Sequence, residues 1–224
     1  MTLRLNPVLW ATAALLLTGT AHAQSAGTLT GRLSVTRIAP DVTSGNLTSP
    51  SFAGTQADIT ANTQPTGGLT WMVDDHVAID LPLALGFRHD LVGAGAIAGV
   101  GKIGEVQALP ISLLAQYRFM EPSAQIRPYV GAGPTYARFY KARSTAVLSG
   151  LTGGSPANPT TLTVDSRLGL TMQLGASIAV APRWSLDVSV LKTLLKTTAH
   201  LSSGQTLDVT VNPTSYTVGL GYQF

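Results

Sequence analysis

Six charged residues, Arg32, Asp80, Arg88, Arg118, Arg167 and Asp187, stand in runs where apolar and polar residues alternate. Period-two alternation belongs to a β-strand, so each run has an apolar face and an opposite face that carries the charge. A charge shut in among strands must be paired or wetted, since an isolated buried ion is very costly. Two chemistries fit. A ring of such charges would select ions in a lumen. Paired off, the same charges would fill the lumen's base, which is the reading preferred here. Asp80 and Arg118 fall near the same end of neighbouring runs, with Asp187 and Arg32 at a similar depth across the seam. The histidines offer less. His76, His89 and His200 are isolated, with no His-x-x-x-His or carboxylate cluster at ligand spacing, so no metal or cofactor is implied. A lipid hydrolase would need a Ser and a His held together on the wall. Nothing singles out such a pair, so the chain is read as no enzyme, and His89 as a rim residue at a loop boundary.

The elements that position these residues are strands. The alternation gives strands at about 27–38, 66–73, 77–88, 108–119, 127–141, 166–180, 184–200 and 209–224. In the third, Val77, Ile79, Leu81, Leu83, Leu85 and Phe87 form one apolar face, opposed by Asp80, Pro82 and Arg88. In the fourth, Ile111, Leu113, Ala115, Tyr117 and Phe119 oppose Ser112, Leu114, Gln116 and Arg118. The seventh sets Val188 and Val190 against Asp187 and Leu191. Eight strands of about ten or more residues suit an all-β, antiparallel transmembrane β-barrel, which closes without an edge exposed to lipid. The connections at 74–76, 120–126 and 181–183 are short, whereas 40–65, 89–107, 142–165 and 201–208 are long and rich in Gly, Ser, Thr, Asn and Pro. Pro82, Pro110 and Pro134 cannot donate to a ladder, so bulges or breaks are expected there.

The composition agrees. Charged residues are only 11% of the 224, against roughly 25% in soluble domains, yet mean hydropathy is just +0.25. Alternating lipid-facing and lumen-facing residues average in this way. Cysteine is absent, which excludes disulfides and thiolate metal sites. The net charge of +3 is scattered singly, without a basic cluster in sequence, so no nucleic-acid partner is expected. Residues 1–23 read as a cleaved signal: Arg4, an apolar stretch from Val8 to Leu17, then Ala21-His22-Ala23. The barrel would be residues 24–224. The chain ends on Tyr216, Val218, Leu220, Tyr222 and Phe224 along one face, as outer-membrane barrels of Gram-negative bacteria close. Leu220, Tyr222 and Phe224 are therefore the expected signal for the barrel-assembly machinery, with both termini periplasmic. Lys192 and Lys196 share the lipid-facing parity and mark where the seventh strand leaves the hydrocarbon, with snorkelling preferred to contact with lipopolysaccharide phosphates.

Four segments, in order, carry a family resemblance. Ile126-Arg-Pro-Tyr-Val-Gly-Ala-Gly-Pro-Thr-Tyr136 resembles the strand-five signature of the OmpW family. Gly86-Phe87-Arg88-His89 resembles its Pro-Phe-basic-His step, with Gly86 where Pro is usual. Leu109-Pro-Ile-Ser-Leu-Leu-Ala-Gln-Tyr117 resembles its fourth strand, and Gly219-Leu-Gly-Tyr-Gln-Phe224 its C-terminus. The resemblance implies a narrow, largely apolar lumen that passes small hydrophobic solutes passively, with lateral exit into the bilayer. It places a constriction near Pro82 and Leu191, to which the inward parity adds Leu114. Outer-membrane lipid and lipopolysaccharide are the implied surroundings. The alternative is a sealed structural or recognition barrel whose outer loops act as receptor or adhesin.

Overall fold

The structure, a computed structural model, describes residues 24–224. The expected signal segment lies outside the described residues. In chain order the elements are β1 (Leu29–Ala39), β2 (Thr43–Ser44), β3 (Thr55–Ile59), β4 (Asn62–Met72), β5 (Val77–Ala84), β6 (Phe87–Gly95), β7 (Lys102–Ser112) and β8 (Leu114–Arg118). They continue as β9 (Ile126–Ser144), α1 (Ala146–Leu151), β10 (Leu162–Val164), β11 (Arg167–Ala181), β12 (Trp184–Leu194), β13 (Lys196–Leu201), β14 (Thr206–Thr210) and β15 (Thr214–Gln223).

Eight strands close into an antiparallel barrel in the order β1-β4-β5-β8-β9-β11-β12-β15, with β15 returning to β1 from Thr30↔Gln223 to Ala39↔Thr214. Alternation decides what faces where. On β1, Leu33 is 74% exposed while its neighbours Ser34 and Thr36 are buried. Leu168 on β11 and Leu220 on β15 likewise point outward. Apolar outside and polar inside is the inverse of a soluble sandwich, and it matches a hydrocarbon solvent. Trp184, Tyr222 and Phe224 stack edge-on in sequence at centroid distances of 5.0 and 5.2 Å, and Tyr117 meets Phe119 at 5.1 Å. Both groups lie at the short-turn end, where aromatic rings suit the membrane interface.

Four strands expected to be continuous are divided. The third splits into β5 and β6, the fourth into β7 and β8, the seventh at Leu195, and the eighth at 211–213. In the eighth, Pro213 has no N–H, and Asn212 takes a left-handed φ of 31° while its Oδ1 accepts from the Leu195 N–H at 3.0 Å. Pro134 does not break β9; its carbonyl accepts from Leu113, and the interruption falls on the neighbouring strand instead.

The long connections are not open loops. β10, β13, β14 and β2 form a separate four-stranded sheet, and β3 and β6 extend the barrel wall. Ile97, Ile103, Leu148, Leu162 and Leu201 pack a small core between them, and Leu207, Val209 and Val211 form a second. Thr145 caps α1 through its hydroxyl. The barrel therefore carries an ordered storey above its wall.

Candidate functional site

The barrel interior has a floor, a cavity and a side gap. The floor is built at the short-turn end. Arg32 on β1 reaches across β4 to Asp80 on β5, with Nη2 donating to Oδ1 at 2.6 Å. Thr70 sits between them, accepting from Arg32 Nη1 and donating to Asp80 Oδ1 at 2.7 Å. Arg118 on β8 donates to Gln24 Oε1 at 2.7 Å and to Gln116 Oε1 at 3.0 Å. Gln116 passes the chain on to Gln173 at 2.8 Å. The Arg118 guanidinium also lies 4.8 Å from the centre of the Tyr129 ring, whose hydroxyl donates to Asp187 Oδ1 at 2.9 Å. Below, Arg127 donates to the backbone carbonyls of Gln24, at 2.7 Å, and Asp75. Gln24 Nε2 donates to Ser177 at 2.8 Å. Gly175 faces Tyr129 so closely that a Cβ there would overlap the phenol.

The expected pairing is thus revised. Asp80 meets Arg32 rather than Arg118, because Arg32 is long enough to span a strand that carries only Gly68 opposite it. Arg127 and Tyr129 are floor residues beyond the six expected charges, and both stand on the inward parity of the Arg-Pro-Tyr segment. Gln24, the expected first residue after cleavage, is a floor residue as well.

Above the floor is a cavity of about 1160 Å³, counting the part open to solvent. Pro82 and Leu191 line it. Leu114 does not. It is fully buried opposite Asp80, at floor depth, because β8 begins there and turns its first side chain under the cavity. Hydroxyls line much of the circumference and bond to one another. Ser112 meets Thr135 at 2.7 Å, Thr135 meets Thr171, and Thr171 meets Thr193 at 2.8 Å. Thr36 bridges Thr66 at 2.7 Å and Thr217 at 3.0 Å. Mutual bonding leaves these groups with little demand on a solute. The sector between Thr66 and Ser112 is different: Pro82, Ala84, Phe87, Ala108 and Pro110 line it without a hydroxyl.

That sector contains the gap. Backbone pairing between the third and fourth wall strands ends at Asp80↔Leu114 and resumes only at Phe87↔Ala108. Residues 81–86 face 109–113 without register partners across the seam, and the first side is one residue longer. One extra residue reverses which side chains point inward. Phe87 is therefore buried in the cavity, and Arg88 is exposed on the outside. Arg88 is not a lumen charge, contrary to expectation. His89 follows Phe87's correction: it is buried, 4% exposed, with Nδ1 at 2.7 Å from the Thr60 carbonyl, and lines the cavity rather than the rim. Arg167 keeps inward parity but stands above the enclosed part, half-exposed and paired with Asp165 at 2.7 Å. Leu83, 45% exposed, also contributes to the lining here.

The model of the OmpW family matches residues 25–224. Outer membrane protein W of Escherichia coli K12 is 31% identical over 213 residues, 93% of this chain and 94% of that protein. The dibenzothiophene metabolism operon protein PahQ of Pseudomonas aeruginosa is 24% identical over 199 residues, 87% of this chain and 88% of the relative. Among solved structures, the outer membrane protein OprG of Pseudomonas aeruginosa superposes with a TM-score of 0.80 at 24% identity, covering 91% of this chain and 99% of OprG, which speaks to the fold.

Proposed function

The chain belongs to the OmpW family and is an outer-membrane β-barrel, and from that premise we propose that it is a passive conduit for small hydrophobic solutes. Solute enters from the outer storey, rests in the cavity against Pro82, Phe87 and Leu191, and leaves sideways into the bilayer through the gap between 81–86 and 109–113. The observation that carries this is the conjunction of a bonded floor with an apolar, unladdered sector of wall. A buried charged floor resists an apolar solute and water-filled passage alike, whereas the gap offers apolar surface continuous with lipid. The name of the relative PahQ ties that protein to the metabolism of an apolar aromatic compound, which suits the same solute class.

The orientation belongs to this proposal. The short turns and both termini face the periplasm, and the storey projects into the lipopolysaccharide layer. Cleavage after Ala23 frees Gln24 to settle in the floor. Leu220, Tyr222 and Phe224, on the last strand's lipid-facing edge, serve as the signal read by the barrel-assembly machinery. Leu191→Arg tests the passage. Uptake of an apolar aromatic by cells carrying this variant falls at least about tenfold, since a charge replaces apolar lining; unchanged uptake refutes the assignment. A recognition role for the storey is the second reading, favoured by Phe52, which is 69% exposed there. Phe52→Ser would then abolish surface binding and leave uptake intact.

A further inference from the structure

The parity reversal that takes Arg88 out of the lumen delivers it to a cluster of cations on the barrel's outer surface. Arg88 on β6 stands opposite Gln107 on β7, which stands opposite Tyr140 on β9. Neighbouring strands are about 4.8 Å apart, so Arg88 lies roughly 10 Å from the Tyr140 backbone. Lys141 has a left-handed φ of 50°, which marks a bulge beside Tyr140, and Arg143 follows opposite Glu105. Arg88, Lys141 and Arg143 frame one shallow polar depression with Glu105 and Gln107. Arg138 completes the group from below. Its guanidinium and the Lys141 ammonium lie 5.8 and 5.9 Å from the Tyr140 ring centre. All four cations are exposed, and among the described residues none makes an ion pair. Glu105 is already engaged by Lys102 at 3.0 Å, and Asp90 by the same ammonium at 2.7 Å. Elsewhere on the rim, Lys192 is paired with Asp41.

The height of the cluster is set by β9. From Ile126 to Tyr136 its outward positions carry no charge, and Arg138 is next. Ten residues at about 3.3 Å, tilted by roughly 40°, give about 25 Å, the height of the apolar band of such barrels. The cations therefore begin where the outer headgroups begin. Directly below, Ile111 pairs with Tyr136, 48% and 41% exposed, with Leu113 beyond, so an apolar lane runs down from the basic patch.

We infer that Arg88, Arg138, Lys141 and Arg143 form a binding site for a phosphorylated glycolipid headgroup of the outer leaflet, whose acyl chains lie along Ile111, Leu113 and Tyr136. Charge and apolar lane together select an anionic amphiphile over a soluble polyanion, which would gain nothing from the lane. The site does not depend on what passes through the lumen.

The test uses the mature barrel in dodecyl maltoside, titrated with bisphosphorylated lipid A and, separately, with its dephosphorylated form. Native mass spectrometry reads the one-to-one adduct, and heat-modifiable gel migration confirms folding. The wild type binds the bisphosphorylated lipid at least about tenfold more tightly than the dephosphorylated one, and the quadruple Gln variant of the four cations loses that preference. Arg37→Gln with Lys196→Gln, elsewhere on the rim, changes it by less than about twofold. Retained preference in the quadruple variant overturns the inference, as does equal binding of both lipids. Displacement of the lipid by equimolar sucrose octasulfate also overturns it, in favour of a soluble polyanion.

Discussion

Asp80 and Pro82 are two residues apart on β5, and they belong to opposite kinds of wall. At Asp80 the barrel is tied across its interior, with polar side chains of β1, β4, β5, β8, β9, β11 and β12 bonded in chains that also hold Gln24. At Pro82 the ladder to the fourth wall strand has stopped, and Pro82, Ala84, Phe87, Ala108 and Pro110 line that sector without a hydroxyl. Lipid does not tolerate unpaired backbone, so an interrupted ladder needs other partners. On the β4 side, beyond the end of that ladder at Thr66↔Ala84, Gln64 donates to the Leu85 carbonyl and Asn62 to the Arg88 carbonyl, each at 2.7 Å. Pro82 and Pro110 remove two donors that would otherwise be orphaned. The barrel is thus cross-bonded at its base and unladdered in one sector of its side.

Substitutions sharpen the contrast, beginning with the floor. Asp80→Ala leaves the Arg32 guanidinium buried without its carboxylate, and unfolding in urea should show a loss of about 3–5 kcal/mol. A variant with wild-type stability would mean that the floor is wet and loosely bonded. Next, Gln64→Ala orphans the Leu85 carbonyl at the gap. The expected loss is about 1–3 kcal/mol, with faster amide exchange confined to 81–88. Protection unchanged there would show that the Gln64 bond does not hold the segment. Gly175→Ala forces Tyr129 aside, for about 1–3 kcal/mol in the same urea assay and a rise in ion conductance as the floor loosens. The smallest effect lies in the turn below the floor. The Asp74 carboxylate accepts from the backbone N–H groups of His76 and Val77, which hold its pKa below the ordinary value. Its stabilisation is thus complete above the unfolded value, near about pH 4, and fades as pH falls through the lower folded one. The urea midpoints of wild type and Asp74→Asn should differ at neutral pH and converge in acid; a constant difference would remove the carboxylate from the explanation.

Much of the barrel was legible because alternation is a local signal. Leu33, Leu168 and Leu220 point outward as their runs require, and Arg32, Asp80, Arg118 and Asp187 inward. Pairing between strands is not local. Nothing in 77–88 alone announces that 81–86 will face a stretch one residue shorter, so the strand was read through as one piece and Arg88 was placed on the wrong side. Arg32 was not matched with Asp80 because the two are separated by a whole strand, and only register shows that Gly68 leaves room between them. The ordered storey was hidden for a similar reason. Ile97, Leu148, Leu162 and Leu201 sit in three loop segments rich in turn residues, and their common core exists only once the barrel brings them together.

The claim that apolar solutes leave through the side rather than the base is tested most directly by one uptake assay. Cells carrying the wild type, Pro82→Arg or Arg118→Gln take up a radiolabelled apolar aromatic, with folded barrel quantified by heat-modifiable migration. The expected result is at least about a tenfold fall for Pro82→Arg, where a charge enters the gap sector, and no change for Arg118→Gln, where only the floor is weakened. Faster uptake through Arg118→Gln, with Pro82→Arg unaffected, would place the route along the barrel axis and contradict the side exit.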